Sequence, residues 1–309
     1  MVSSAASSPD VSVIVVVYND RVRLIDCLRS LEDQTQQSHT IEIVVIDDGS
    51  DDGSTEAVDS LFPDVKVISK INEGADLSRN RGIEESSGGV IAFIDSDCVA
   101  RGDWIETLVD ALQQNPSAVV GGRVIHRGPF FRRVMGIADF GEYQGLQRRE
   151  VRCLPTCNLG LARSTLGEVR FDPRVAAAGG DTVFTETLRR GGAALIYQPE
   201  LEVEHRPSVS LADLMRRARR YGTSFVRARQ LDPSLRYSSL VRAGVLGVAA
   251  ATVARIFLDW TRLVRHRQVA GIAVWELPAA AAVLALRRLV SLPAAARAVR
   301  SQPVAFRVG

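Results

Sequence analysis

Cysteine is scarce in this chain. Cys27, Cys98, Cys153 and Cys157 are the four among 309 residues, too few and too scattered for a disulfide framework. Cys153 and Cys157 could share one turn, but no second metal-spaced pair or neighbouring histidine makes a zinc site of them. The N-terminal MVSSAASSPD lacks a basic segment leading into an apolar one, so no cleaved secretory signal is expected and the main folded part reads as cytosolic. No base-reading motif is present, which argues against a nucleic-acid partner. Uninterrupted apolar runs of the ~20 residues that cross a bilayer are also missing: residues 243–254 fall short, and residues 269–286 contain Glu276 and Pro278.

What is present is a strong charge asymmetry. From Arg206 onward there are eighteen Arg, no Lys and four acids, a balance of +14, whereas residues 1–205 carry twenty basic and thirty-two acidic side chains, a balance of −12. Arginines of this kind neutralise phosphates or lie against anionic lipid. The Ala-, Leu- and Arg-rich C-terminal stretches therefore either dip into a membrane as a helical hairpin or pack on the domain or on a partner.

The runs VSVIVVV (11–17), IEIVVID (41–47), VKVIS (65–69) and VIAFID (90–95) are short, apolar and β-branched, and helix-compatible stretches separate them. This alternation predicts an α/β fold with a mostly parallel sheet covered on both faces. Ligands bind such sheets beyond the carboxyl ends of the strands, and polar loops follow each strand there: YND, DGSDDGS and DSDC. Residues 120–165 turn irregular, with loops and a few mixed strands. A helix begins near GGDTVFTETLRRGG and ends at Gly191–Gly192, AALIYQPELEVEH reads as strand, turn, strand, and SLADLMRRARRYGTSFVRARQ reads as a basic helix weakened at Gly222.

Asp95 and Asp97 stand one residue apart after an apolar run. Two such carboxylates repel unless a cation answers them, and a hard divalent ion with oxygen ligands does so, sharing its shell with water and substrate phosphates. The plainer alternative is a solvated turn that caps the following helix at Gly102 or Asp103. Asp47 and Asp48 can accept from a nucleobase or ribose, or serve turn chemistry. In NEGADLSRNRG, Gly74 allows close backbone approach, while Arg79 and Arg81 answer phosphate charge or lie on a solvated face.

The ordered set VSVIVVVYND, IEIVVIDDGSDDGS, NEGADLSRNRGI, FIDSDC, CNLGLARS, GGDTVFTETLRRGG and YQPELEVEH resembles the family 2 glycosyltransferases of GT-A fold over about residues 10–230. The resemblance implies a GT-A-like nucleotide-sugar-binding domain at 10–230, preceded by a flexible N-terminus at 1–9 and followed by a helical, Arg/Ala-rich, basic region at 231–309. It further implies a nucleoside-diphosphate-sugar donor, a hydroxyl acceptor on a lipid carrier or cell-envelope glycan, a divalent Mg²⁺ or Mn²⁺ cofactor, and inversion at the anomeric carbon. By position, Val17, Tyr18 and Asn19 match the loop around the nucleobase and Asp48 the acid that reads it. Gly74 and Arg79 match the diphosphate side. Asp95 and Ser96 lie toward the ribose, Asp97 is the direct metal ligand, and His205 faces metal or diphosphate. Asp181 matches the general base, with Gly180 where the family commonly has Glu. Cys157 and Asn158 match the acceptor side.

The Q-x-x-R-W element of processive synthases is absent, and RRARRYG stands in its place, so limited transfer is expected rather than chain polymerisation. The lack of a secretory signal and the basic, partly apolar tail predict placement at the cytoplasmic face of a membrane, peripheral or held by the C-terminal region, with a soluble cytoplasmic protein as the alternative. A non-catalytic sugar-nucleotide or glycan-binding module with a decayed site is the competing function. Nucleotidyl transfer lacks its Gly-rich, Lys-containing loop near the first strand.

Overall fold

Branched side chains such as those crowding the four apolar runs pack best on a pleated surface that is covered on both sides. The structure, a computed structural model, describes residues 9–34, 38–175, 179–207 and 209–301. The N-terminal segment expected to be flexible therefore lies, apart from Pro9, outside the described residues. In chain order the elements are β1 (Val11–Val17), α1 (Arg21–Glu32), β2 (Ile41–Asp47), α2 (Ser54–Leu61), β3 (Lys66–Ser69), α3 (Ala75–Glu85), β4 (Val90–Asp95), β5 (Cys98–Ala100), α4 (Trp104–Gln114) and β6 (Val119–Ile125). Then come α5 (Phe130–Phe140), β7 (Arg149–Glu150), β8 (Asn158–Ala162), α6 (Arg163–Leu166), α7 (Gly180–Arg190) and β9 (Leu195–His205). Four helices follow: α8 (Leu211–Leu231), α9 (Ser238–Arg242), α10 (Gly244–His266) and α11 (Leu277–Arg300).

Among the described residues the strands form one sheet in the order β3-β2-β1-β4-β8-β6-β9-β5, with β7 paired to β9. The first four are parallel: Val17 is level with Asp47, and Val16 with Asp95. Beyond β4 the sheet turns antiparallel through β8 and β6. This parallel register brings the polar ends of β1, β2 and β4 to one rim.

The chain gathers into two compact units. The first holds residues up to 122 together with 147–170 and 185–203. Its core joins Ile14, Ile46 and Phe93 of the sheet to Leu24, Leu28 and Leu31 of α1 and to Trp104 of α4, all fully buried. Each such side chain contributes roughly 1.5–3 kcal/mol by leaving water. α3 lies so close to β1 that a Cβ at Gly82 would overlap Ile14.

The second unit holds 123–146, 171–184 and 204 onward. Val134 and Ile137 of α5 pack with Leu263 of α10 and with Ala280 and Leu284 of α11. Phe225 and Val226 of α8 pack with Val241, Val248, Ala251 and Ala295. Ion pairs, buried or part-buried, tie the same region: Arg288 to Asp259 at 2.6 Å, Arg133 to Glu276 at 2.7 Å, and Arg287 to Asp139. The two interruptions of the apolar stretch at 269–286 are accounted for here. Glu276 accepts from Arg133 and from the Ala273 N–H, and Pro278 sits in the first turn of α11, where no helical donor is lost.

Three features depart from the sequence reading. The irregular region contains α5, whose apolar residues Phe130, Val134, Ile137 and Ala138 keep helical spacing; Gly136 and the aromatic run masked it. The expected strand, turn, strand at 193–205 is one strand, β9, whose burial alternates strictly through Pro199. Pro199 falls between the Ile196–Tyr197 pairing with β7 and Glu202, whose carbonyl accepts from Arg101, where the strand changes neighbours. Third, α8 runs unbroken across Gly222, started by a reciprocal Ser210–Asp213 capping box. A Cβ at Gly222 would strike the Ser291 carbonyl of α11.

Glycine costs a helix about 1 kcal/mol relative to alanine, yet Gly222→Ala is expected to lower stability by roughly 1–3 kcal/mol, because the added methyl pushes α8 off α11. Urea unfolding measures this; a more stable variant would contradict the packing.

Candidate active site

The rim of the first unit is assembled by hydrogen bonds between loops. Asp48 N–H donates to the Val17 carbonyl at 2.9 Å, which locks the end of β1 to that of β2. Asn19 adopts a left-handed backbone, φ 50°, a conformation asparagine tolerates better than most residues. Its N–H donates to Ser50 Oγ at 2.9 Å and its Oδ1 accepts from the Asp51 N–H at 2.8 Å, so the loop after β1 is tied to the loop after β2. Tyr18 projects outward, exposed.

Asp47 does the turn work, accepting from Ser50 N–H at 2.9 Å and Thr55 Oγ1 at 2.5 Å. Asp48 is buried and organises the next loop. Its carboxylate accepts from Lys70 Nζ at 2.6 Å, Gly74 N–H at 2.9 Å, Glu73 N–H at 3.0 Å and Ser78 Oγ at 3.0 Å. Burial pushes this carboxyl up, and the Glu73, Lys70, Gly74 and Ser78 donors outweigh burial and hold it below the ordinary carboxylate range. Gly74, with φ 99°, supplies the backbone turn that presents its N–H to Asp48 at the start of α3.

Asp95 closes β4, and Ser96 and Asp97 form the turn into β5. Because β5 intervenes before α4, the pair does not cap that helix. Ser96 is buried, while Asp95 and Asp97 are half-buried. Arg79 Nη2 of α3 donates to Asp95 Oδ1 at 2.9 Å, and Nη1 to Asp76 at 3.3 Å. Arg79, expected to face a diphosphate, is thus paired with the first acid of the motif. Arg81 is half exposed and pairs with Glu85 at 2.6 Å, a surface arrangement.

Negative charge accumulates around this turn. Burial, then the neighbouring Asp97 and Asp52, raises the Asp20 carboxyl despite Arg23 at 2.7 Å. The Cys27 thiol, fully buried on α1, is pushed up by burial and then by Asp97, Asp95 and Asp20. Carboxylate oxygens crowded in this way suit a hard cation such as Mg²⁺ or Mn²⁺, so the donor set fits the expected metal.

Asn158 is fully buried: Oδ1 accepts from Trp104 Nε1 at 2.8 Å and Nδ2 donates to the Leu201 carbonyl at 2.8 Å. Cys157 is buried beside Cys98, whose thiol is raised by burial and by its hydrogen bond with Cys157. Both residues expected on the acceptor side are therefore core groups in this structure, with Asn158 joining α4, β8 and β9.

In the second unit, Asp181 occupies the first turn of α7, where the helix dipole favours an anion, and its Oδ1 accepts from the Thr182 N–H at 2.8 Å. Asp139, then burial and, more weakly, Asp181 raise the Tyr221 phenol of α8, against the pull of Arg287 and Arg217. His205 ends β9, buried, with its Nδ1 2.8 Å from His126 Nε2. The two rings meet edge to face, 4.8 Å between centroids, and Phe140 packs on both. The sequence reading missed His126. Its signal was a second histidine directly after an apolar strand, in VVGGRVIH, mirroring the ending LEVEH. Gly136 of α5 makes room for it, since a Cβ there would lie 2.7 Å from the imidazole.

A parallel sheet extended by antiparallel strands, with a D-x-D turn at its carboxyl rim and a helical C-terminal region, is the GT-A glycosyltransferase fold. The mannosyltransferase PcManGT from Pyrobaculum calidifontis, solved with GDP-Man and Mn²⁺, superposes with a TM-score of 0.62 over 95% of this chain and 88% of its own, at 16% identity. The model of the family described as Glycosyl transferase family 2 matches residues 12–168, and the chain belongs to that family. Glycosyltransferase AglE of Haloferax volcanii is 28% identical over 232 residues, 72% of this chain and 75% of AglE. A glucosyl-dolichyl phosphate glucuronosyltransferase of the same organism is 29% identical over 221 residues, 63% of this chain and 69% of the relative. The chain is a glycosyltransferase.

Asp48→Asn removes a carboxylate whose folded form resists protonation. A depressed folded value contributes stability that is fully present above the ordinary 3.8 and is lost as pH falls through the folded value. The variant is expected to lose about 2 kcal/mol at pH 7, with the difference from wild type shrinking on acidification below pH ~4. Thermal unfolding across pH checks this, and a difference that grows toward acid would contradict it.

Proposed function

We propose that this chain is an inverting, metal-dependent glycosyltransferase that moves a sugar from a nucleoside-diphosphate-sugar to an acceptor hydroxyl, in cell-envelope glycan or glycolipid synthesis at the cytoplasmic face of a membrane. The observation that carries the reading is the turn of Asp95, Ser96 and Asp97 at the carboxyl rim of the parallel strands, where Asp95 is level with Val16 of β1 and accepts from Arg79. Within this reading the transferase domain is 10–230, and 231–309 is an appended helical region.

Val17, Tyr18 and Asn19 border the base, and Asp48 reads it at the edge of the loop that it orders. Gly74 lets the backbone approach the donor, and Arg79 exchanges its bond with Asp95 for the diphosphate as the donor arrives. Asp95 and Ser96 lie toward the ribose. Asp97 and His205 would hold the cation, with His126 orienting the His205 ring through its Nδ1. A bound Mg²⁺ or Mn²⁺ supplies charge that stabilises the departing diphosphate.

An acceptor hydroxyl is a poor nucleophile until its proton is taken. Asp181 accepts that proton while the acceptor oxygen bonds to the anomeric carbon and the carbon–oxygen bond to the diphosphate breaks on the opposite face. One such displacement inverts the centre. With Gly180 where the family commonly has Glu, Asp181 is the one carboxylate of that pair of positions that can take the proton. A lipid-phosphate-linked acceptor is favoured, in keeping with the dolichyl-phosphate substrate named for one relative.

Asp181→Asn is expected to lower kcat about 10²–10⁴-fold with donor affinity unchanged. Asp97→Asn is expected to weaken Mn²⁺ binding at least about tenfold and abolish transfer. Nucleoside-diphosphate release, calorimetric Mn²⁺ titration and circular dichroism read these. Donor binding without turnover by the wild type against membrane-extract acceptors would favour the decayed-site module, and full activity in either variant would overturn the assignment.

A further inference from the structure

Within the second unit, α10 turns one long apolar face outward. Leu246, Val253, Phe257, Trp260 and Val264 recur at spacings of seven, four, three and four, which is one side of a helix. All five are exposed, Leu246 at 84% and Phe257 at 69%. At 1.5 Å per residue the stripe runs about 27 Å. Exposed Arg242 and Arg265 stand at its two ends. Asp259, the one acid between them, faces inward, fully buried on Arg288. The outward face thus carries no negative charge, and the region from Arg206 onward carries +14.

We infer that this α10 face is a docking surface for an anionic phospholipid bilayer, and that α10 lies in the plane of the interface rather than crossing it. The charge pattern supplies the first half: apolar residues to enter the acyl boundary, a tryptophan for the headgroup level, and arginines for the phosphates. Packing supplies the second. α10 and α11 are both long and apolar enough to span, but the inner face of α10 is committed to protein. Val248 and Ala251 pack on Phe225 of α8, Leu263 packs on α5, and Arg262 pairs with Glu142 at 2.8 Å. A crossing would strip Asp259 from Arg288, or draw in α8 with its six arginines at 216, 217, 219, 220, 227 and 229. Charged groups of this kind are excluded from hydrocarbon.

The inference rests on the membrane-side placement proposed above, but not on sugar transfer, which is read separately by nucleotide release. The full chain is floated with phosphatidylcholine vesicles, with and without about one-third phosphatidylglycerol. Binding is expected to the anionic vesicles, to fall at least about tenfold in Val253→Glu/Phe257→Glu, and to fall several-fold with steep salt dependence in Arg242→Glu/Arg265→Glu. Circular dichroism and donor binding verify that the variants are folded. Lipids brominated near the headgroup are expected to quench Trp260 more than lipids brominated at the chain end, with the difference lost in Trp260→Phe. Equal partition of wild type and both variants overturns the proposal. So does quenching greatest at the bilayer centre with resistance to alkaline carbonate, which indicates a span. Self-association without vesicle binding also overturns it, making a second copy the occupant.

Discussion

Repulsion among carboxylates at the carboxyl ends of parallel strands is the constraint on which the site depends. Parallel register brings the ends of β1, β2 and β4 level, so any acid that follows these strands meets the others. The chain separates its acids by task. Asp48 is neutralised within the protein by four donors, and its burial becomes a means of fixing the loop from Lys70 to Ser78. Asp20 pairs with Arg23 and Asp95 with Arg79. Burial first, and then the neighbouring carboxylates, raises the Asp20 carboxyl and the Cys27 thiol.

The strands and the D-x-D turn were legible because they are local. β-branched runs of four to seven residues, three of them followed by an acid-bearing loop, specify both the element and the rim at which it ends. What sequence spacing could not show was which partner each polar group takes. Arg79 turns toward Asp95, Asn158 bridges Trp104 and Leu201 inside the core, and His126 meets His205 from 79 residues away. Glycine misled in two places for one reason. Gly136 stands in a stretch that reads as irregular and Gly222 reads as a helix weakener, yet each marks a site where something must come close: an imidazole at the first, a helix backbone at the second.

The second unit extends the same logic to positive charge. Arg133, Arg287 and Arg288 are spent on internal pairs with Glu276, Asp139 and Asp259. Taking such charges out of water costs much of what the pairing returns. The last of these pairs also turns the one acid of α10 away from its outer face. Basic composition and apolar surface, which seem at odds in the sequence, meet on α10: its one acid, Asp259, is turned inward onto Arg288, and exposed Arg242 and Arg265 stand at the ends of the apolar stripe.

The central claim is that the crowded acids after β4 exist to hold a divalent ion beside the donor diphosphate. A crystal structure with Mn²⁺ and a nucleoside diphosphate, recorded at the manganese absorption edge, tests it most directly. The account predicts an anomalous peak within about 2.0–2.3 Å of an Asp97 carboxylate oxygen, with Arg79 released from Asp95 toward the phosphates. A nucleotide-bound rim with no metal peak, Asp97 turned to solvent and Arg79 still on Asp95, would contradict it.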